Sequence, residues 1–172
     1  MSLKQIDAIL WRKYLGATSA AVWATNNSQY YFELPSGDYT QFAGKSRRSF
    51  IDKDGNQAFK ITLEAFDGAP HASPHEVTFA QKRKGAARGG NWTVDSIREG
   101  ISKAYELWHA KRGPIDQYER LPPAEKEKNY IVIVRDVDNH FHGRWIRGSD
   151  FDALPSAVRE KLLSASFGWS PL

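Results

Sequence analysis

The sequence predicts a mainly β protein of the α+β class. Its core is a mixed, largely antiparallel sheet, bent or closed into a barrel, with helices packed on it. Three observations carry this. Short apolar runs, some alternating strictly, recur between clusters of Gly, Pro, Asn and Asp. Strands and helices do not alternate as a parallel βαβ sheet requires. Helical spacing is confined to the start, middle and end of the chain.

The elements follow in order. Residues 3–15 read as a helix, because Ile6, Ile9, Leu10 and Tyr14 fall on one helical face and Gly16 ends it. AAVWAT (20–25) reads as a strand, NNSQ (26–29) as a turn, and YYFEL (30–34) as a strand stopped by Pro35-Ser36-Gly37. Asp54-Gly55 in KDGN signals a hairpin. AFKITLEAF (58–66) alternates, with Phe59, Ile61, Leu63 and Ala65 inward and Lys60, Thr62 and Glu64 outward. HEVTFAQK (75–82) is a further strand with Val77 and Phe79 inward. Residues 93–113 read as the longest helix, with Thr93 as N-cap and Gly113-Pro114 as its stop. A polar connector (114–129) leads to YIVIVRD (130–136), whose unbroken apolar run predicts a strand covered on both faces. HFHGRWI (140–146) follows a turn, and a short helix (155–166) precedes FGWSPL. Trp11, Trp23, Trp108 and Trp145 sit at core-like positions.

Length and composition narrow the class. With 172 residues, 41% of them hydrophobic, the chain suits a single domain over 1–172. It is expected to be monomeric. Its net charge of +4 is compatible with a nucleic-acid partner without requiring one. The absence of cysteine excludes a disulfide framework, a cysteine zinc site and a thiol nucleophile, and makes the cytoplasm the simplest location. The opening MSLKQIDAILWRKYLG lacks a signal-peptide apolar core, and no stretch has the length to cross a membrane.

The charge is uneven. EVTFAQKRKGAARGGNWTVDSI (76–97) holds Lys82, Arg83, Lys84 and Arg88 in one glycine-hinged run with no balancing acid among them. Such a run neutralises phosphates, and arginine grips guanine O6 and N7 with two hydrogen bonds. The plainer alternative is a solvated hairpin kept soluble by its cations. A second cluster, Lys45, Arg47 and Arg48, favours binding. Trp92 follows the run directly and either wedges its base or stacks on a sugar.

Catalytic patterns are thin. His140 and His142 share a strand face with Arg144, as a polar surface or as two metal ligands. A magnesium nuclease needs clustered carboxylates and a lysine, and Asp67, Glu76 and Lys82 match that loosely. Asp52-Lys-Asp54-Gly-Asn56 starts like a calcium loop but fails at Gln57 and Leu63. No Gly-x-Ser-x-Gly elbow and no phosphate loop are present.

The element order, with YYFELPSG and the basic run FAQKRKGAARGGNW, resembles the B3-type DNA-binding pseudobarrels of plant transcription factors and of the effector domain of EcoRII-like restriction endonucleases. The resemblance implies an open pseudobarrel of about seven mostly antiparallel strands flanked by two or three helices. It implies two arms that embrace the major groove of double-stranded DNA. Here they would be residues 23–37 and 79–92. On chemistry, Arg83 and Arg88 would read guanine, while Asn26, Asn27 and Gln29, with Ser28 beside them, would read adenine or hold backbone. Lys45, Arg47, Arg48, Lys82 and Lys84 would bind phosphate, with Gln81, Asn91 and Trp92 completing the second arm. The resemblance suits a prokaryotic recognition module cut from a restriction enzyme. It would be non-catalytic and without cofactor, with magnesium needed only by a nuclease domain elsewhere. A small complete nuclease and an RNA- or single-strand-binding module remain the alternatives.

Overall fold

The structure is a computed structural model and describes residues 6–13, 31–35, 37–64, 75–81, 90–95, 123–126, 128, 130–146 and 151–172. The elements run β1 (Ile6–Lys13), β2 (Tyr31–Leu34), α1 (Thr40–Ala43) with a 3-10 turn (Gly44–Ser46), β3 (Arg48–Ile51), β4 (Gln57–Glu64), β5 (His75–Gln81), β6 (Trp92–Asp95), α2 (Pro123–Lys126), β7 (Tyr130–Asp136), β8 (Phe141–Ile146), α3 (Ser156–Ser164) and β9 (Phe167–Pro171). The nine strands form one mixed sheet in the order β2-β6-β5-β4-β8-β7-β1-β9, with β3 branching off β4. Every described pairing is antiparallel except β4–β8, which meet at Leu63–Phe141 and Glu64–His142. The protein is therefore mainly β with a mixed sheet, as its alternating runs predicted.

The first element is a correction. Residues 6–13 are a strand, not part of a helix. Ala8, Ile9, Leu10 and Trp11 are all buried, because β1 is covered on both faces. Ala8 and Leu10 join the inner core, while Ile9 and Trp11 join the outer one. A four-residue apolar run with Ile6 ahead of it mimics helical spacing, and periodicity cannot separate the two. β7 repeats the arrangement, with Ile133 inward and Val132 and Val134 outward, as its unbroken apolar run predicted.

Two further differences concern β6 and β9. Thr93 was expected to cap a helix but lies inside β6, opposite Glu33 and Ala80. Buried Val94 and the β-branched Thr93 suit a strand there, and the remainder of the expected 93–113 helix lies outside the described residues. FGWSPL forms β9 at the sheet's last edge, where Pro171 can sit because an edge strand tolerates a missing donor. The expected C-terminal helix is α3, whose Val158 and Leu162, four residues apart, cover the outer core. The expected strand over 20–25 lies outside the described residues.

The sheet curls around α1. The inner core gathers Leu34 from β2, Phe59, Ile61 and Leu63 from β4, Val77 and Phe79 from β5, Trp92 and Val94 from β6 and Leu10 from β1. Phe42 of α1 fills its centre and packs against Phe141 and Trp169. Strands from opposite ends of the sheet order thus share one core.

The link from β2 to α1 bridges the two ends. Trp92 of β6 donates its indole N–H to Gly37 O at 2.9 Å. Trp169 of β9 donates to Asp38 O, the next carbonyl, also at 2.9 Å. The Tyr39 hydroxyl donates to Pro35 O at 2.9 Å, and burial raises its pKa to about 12. Ahead of α1, the Asp38 carboxylate accepts from the Thr40 backbone N–H at 3.1 Å. The Thr40 hydroxyl bond leads the causes that lower its pKa.

Guanidinium groups hold the other end of α1. Arg135 donates from Nη1 to Phe42 O at 2.6 Å and Gln41 O at 3.3 Å, and from Nε and Nη2 to the two carboxylate oxygens of Asp7. A register shift between Ile6 and Ala8 brings Asp7 to it, a usual effect of a bulge. Gly44 closes the helix at φ 57°, and a Cβ there would lie 3.2 Å from Arg135 Nη1.

Two outcomes are expected in urea denaturation. Trp169→Phe keeps the ring but removes one hydrogen bond, and should lower the unfolding free energy by about 0.5–1.5 kcal/mol. Arg135→Met strands Asp7 and two helix carbonyls, and should cost about 1.5–3 kcal/mol, the scale of bonds to charged groups.

Candidate nucleic-acid interface

The second basic cluster sits where α1 hands over to the β3–β4 hairpin. Asp52 builds the turn of that hairpin. One carboxylate oxygen accepts from the backbone N–H groups of Asp54 and Asn56, the other from the Asn56 amide. The Asn56 backbone bond is the chief cause holding its carboxyl below the usual range. Gly55 supplies φ 79°. The calcium-loop likeness of this stretch is thus a self-capped turn.

The three cations of the cluster have different positions. Lys45 is exposed, with no hydrogen bond or ion pair to a described residue. Arg47 is exposed but anchored. Its Nη1 donates to Gly44 O at 2.6 Å and Thr40 O at 3.4 Å, and its Nε to Ser49 Oγ at 3.3 Å. Cationic donors at a helix C-terminus satisfy its unpaired carbonyls. Arg48 pairs with Glu76 on β5, while Lys60 reaches the other oxygen of Glu76 at 2.9 Å. Lys60 also lies 5.6 Å from the centre of the half-exposed Phe50 ring. The Arg48 side chain remains 68% exposed. Such surface pairs contribute little stability, so this one leaves Arg48 accessible.

Register sets the β3–β4 turn near the root of the other basic run, while Arg48, opposite Lys60 and level with Thr78 and Asp95, lies three strand steps or about 10 Å from it. Ala58 pairs with Ala80, so the hairpin turn and the end of β5 lie at one end of the sheet. Gln81 pairs with Trp92 there, and Leu34 of β2 with Trp92 in turn. A groove of about 400 Å³ opens at this end, lined by Arg47 and Ser49 on one side and Phe59 and Trp92 on another. Trp92 is only 3% exposed and packs against Phe59 and Tyr39. Of its two expected roles, its burial serves the wedge at the base of the run. Asn91 beside it is exposed and Gln81 is partly buried. Lys82, Arg83, Lys84 and Arg88 lie outside the described residues, as do Asn26, Asn27, Ser28 and Gln29. Tyr31, which follows the latter group, pairs with Asp95, three strand steps or about 10 Å from the Trp92 end.

The other chemical candidates resolve into structural arrangements. Glu76 is taken up by Arg48 and Lys60, while Asp67 and Lys82 of the loose nuclease pattern lie outside the described residues. His140 and His142 converge on Asp136. Its Oδ2 lies 3.1 Å from His142 Nε2 and 3.6 Å from His140 Nδ1, and its Oδ1 accepts from the backbone N–H groups of Asp138 and His140. His142 is buried with Asp136, so this group closes the β7–β8 turn, where Asn139 adopts φ 64°. The side chain of Arg144 is outside the described residues.

The sequence reading did not foresee that Arg47 would cap α1, that Glu76 would bridge two cations, or the groove itself. The alternation that turned Lys60 and Glu76 outward was the available signal for the second of these. No family model matches the sequence, no curated protein matches the chain, and no solved structure matches its fold.

The Asp136 carboxyl gives a pH test. Burial raises its pKa, but hydrogen bonds from the His140 backbone, the His142 side chain and the Asp138 backbone outweigh burial and leave it lowered. A lowered pKa stabilises above the unfolded value of about 3.9, and the gain disappears as pH falls through the folded value. In urea midpoints from pH 6 to pH 2.5, the gap between wild type and Asp136→Asn should therefore be full at pH 6 and narrow below about pH 4.

Proposed function

We propose that this chain binds double-stranded DNA in a sequence-dependent way, as a B3-type recognition domain of the kind carried by restriction endonucleases. The observation that carries the reading is positional. Arg47 of the Lys45–Arg48 cluster and Trp92, at the root of the Lys82–Arg88 run, line one groove of a curled β-sheet. Separately, each basic segment would be an ordinary solvated surface. Two cationic segments of the chain that meet at one groove would suit a polyanion.

The roles divide by freedom. Lys45, exposed and without a described partner, serves phosphate. Arg47 and Arg48 serve phosphate from fixed positions, each already held by a neighbour. Arg83 and Arg88 serve base reading in the major groove, and Asn26, Asn27 and Gln29 reach base edges from the preceding arm. Trp92 and Tyr39 hold the base of the second arm. Catalysis is not part of this proposal, which reads Glu76 as the partner of Arg48 and Lys60. Any magnesium-dependent cleavage would reside in another domain.

Selection from random duplexes, followed by competition against scrambled duplex, tests this. Affinity should fall steeply with salt, with a log–log slope of about −0.9 per phosphate contact. Lys45→Ala should weaken selected and scrambled duplex alike and reduce the slope by about one contact. Arg83→Ala or Arg88→Ala should cost about 1–3 kcal/mol on the selected duplex and much less on the scrambled one. A flat salt response, or equal losses on both duplexes for every variant, overturns the proposal.

A further inference from the structure

β3 has an open edge. Among the described residues it pairs with β4 alone, and all four of its residues are exposed. Asp52 donates its backbone N–H to Asn56 O, and the ladder alternates from that bond. Phe50 and Arg48 therefore turn their backbone groups toward β4, while Ser49 and Ile51 turn theirs outward. Those outward groups take no backbone hydrogen bond from a described residue. Open edges are usually blunted by a proline or a bulge, and β3 has neither. It also leaves Phe50 36% and Ile51 65% exposed.

The sequence of this edge is complementary to itself. Residues 48–52 read Arg-Ser-Phe-Ile-Asp. In an antiparallel pair, outward-facing residues must meet outward-facing residues. Setting Ser49 opposite Ile51 of a second copy therefore places the rest. Phe50 faces Phe50 across a two-fold axis, and Arg48 faces Asp52 at both ends. Arg48 and Phe50 share the outer face of the sheet, where the Arg48 side chain is 68% exposed. The Asp52 oxygens accept three bonds within their own turn, which leaves room for a further donor. Sliding the second copy by two residues sets Arg48 against Phe50, or Phe50 against Asp52, and loses both pairs. Aromatic and opposite-charge cross-strand pairs are what stabilise antiparallel strands. We propose that two copies of this chain associate through β3, edge to edge and antiparallel, in this register. The sequence alone suggested a monomer, and the dimer is independent of duplex binding. Five residues a side fall well short of the ~20–30 of a standard interface. Arg47 of each copy also comes near Lys53 of the other. Association is therefore weak and set by concentration.

Two measurements test this. In sedimentation equilibrium from about 20 μM to about 1 mM, the average mass should rise from 19.5 kDa toward twice that value. Oxidative cross-linking tests the register. The chain has no cysteine, so a single introduced thiol can form only an intermolecular disulfide. In the proposed register the two Cα atoms of residue 50 lie ~4.5 Å apart, within the ~4.4–6.8 Å that a disulfide spans. Those of residue 51 lie ~8 Å apart, beyond that reach. Phe50→Cys should therefore cross-link about tenfold faster than Ile51→Cys, although Ile51 is the more exposed position. Added to Phe50→Cys, Ser49→Pro removes an outward donor, and Arg48→Glu sets carboxylate against carboxylate. Each should slow cross-linking by about fivefold or more, with an unchanged far-UV spectrum showing that the fold is kept. A constant mass over the whole range, species larger than a dimer, Ile51→Cys reacting as fast as Phe50→Cys, or no slowing in either folded double variant overturns the proposal.

Discussion

The curvature of this protein depends on two adjacent carbonyls. Gly37 O and Asp38 O accept from the indoles of Trp92 and Trp169, which stand on β6 and β9. β6 is next to one end of the sheet order, and β9 is the other end. An open, twisted sheet of nine strands has no intrinsic reason to bring its ends together. Here a short segment of irregular chain does so, because its backbone acceptors take donors from both sides. Gly37 and Asp38 are exposed, so each bond replaces one to water and contributes about 0.5–1.5 kcal/mol, acting chiefly as a geometric specification. α1 is placed by the same segment, and Phe42 then enters the core that the curl creates.

The opposite side of the molecule depends on β1 and β7 being buried on both faces. Their alternate residues divide between an inner core around α1 and an outer core under α3. Arg135 joins the two systems. It sits on β7, forms a two-pronged ion pair with Asp7 of β1, and ends α1 by binding its last carbonyls. A guanidinium suits this task because its fork satisfies a carboxylate and helix carbonyls at once, as an ammonium would not. Trp11 extends the connection outward by donating to Ala165 O at the end of α3.

These supports also shape the candidate interface. Cations that look interchangeable in the sequence divide by environment. Arg47 completes the C-terminus of α1, Arg48 and Lys60 share Glu76, and Lys45 stands free of described partners. Anchoring does not remove a cation from a ligand's reach. It fixes where the charge is presented and reduces the entropy lost when a ligand arrives. The rigid base formed by Trp92, Phe59 and Tyr39 gives the neighbouring chain a firm origin.

The sequence by itself determined the local content. Alternation in residues 58–66 and 75–82, the Asp-Gly turn and the unbroken run of 130–136 identified β4, β5 and β7, because side-chain pattern reports which faces are buried, and the stretch 155–166 was read as the helix that became α3. It also marked the two basic runs, since charge is visible without a fold. What it left ambiguous was decided by tertiary contacts. Residues 6–13 carry helical spacing and became a strand once both faces were covered. Thr93 carries a capping side chain and became part of a strand because β2 and β5 flank it on both edges. FGWSPL shows little local strand signal and became β9 because β1 offers it an edge. The roles of Arg47 and Arg135, the pairing of Glu76 and the groove were likewise fixed by tertiary structure alone. Each joins residues far apart in the chain or turns on which backbone group a side chain meets, and neither composition nor periodicity encodes that distance.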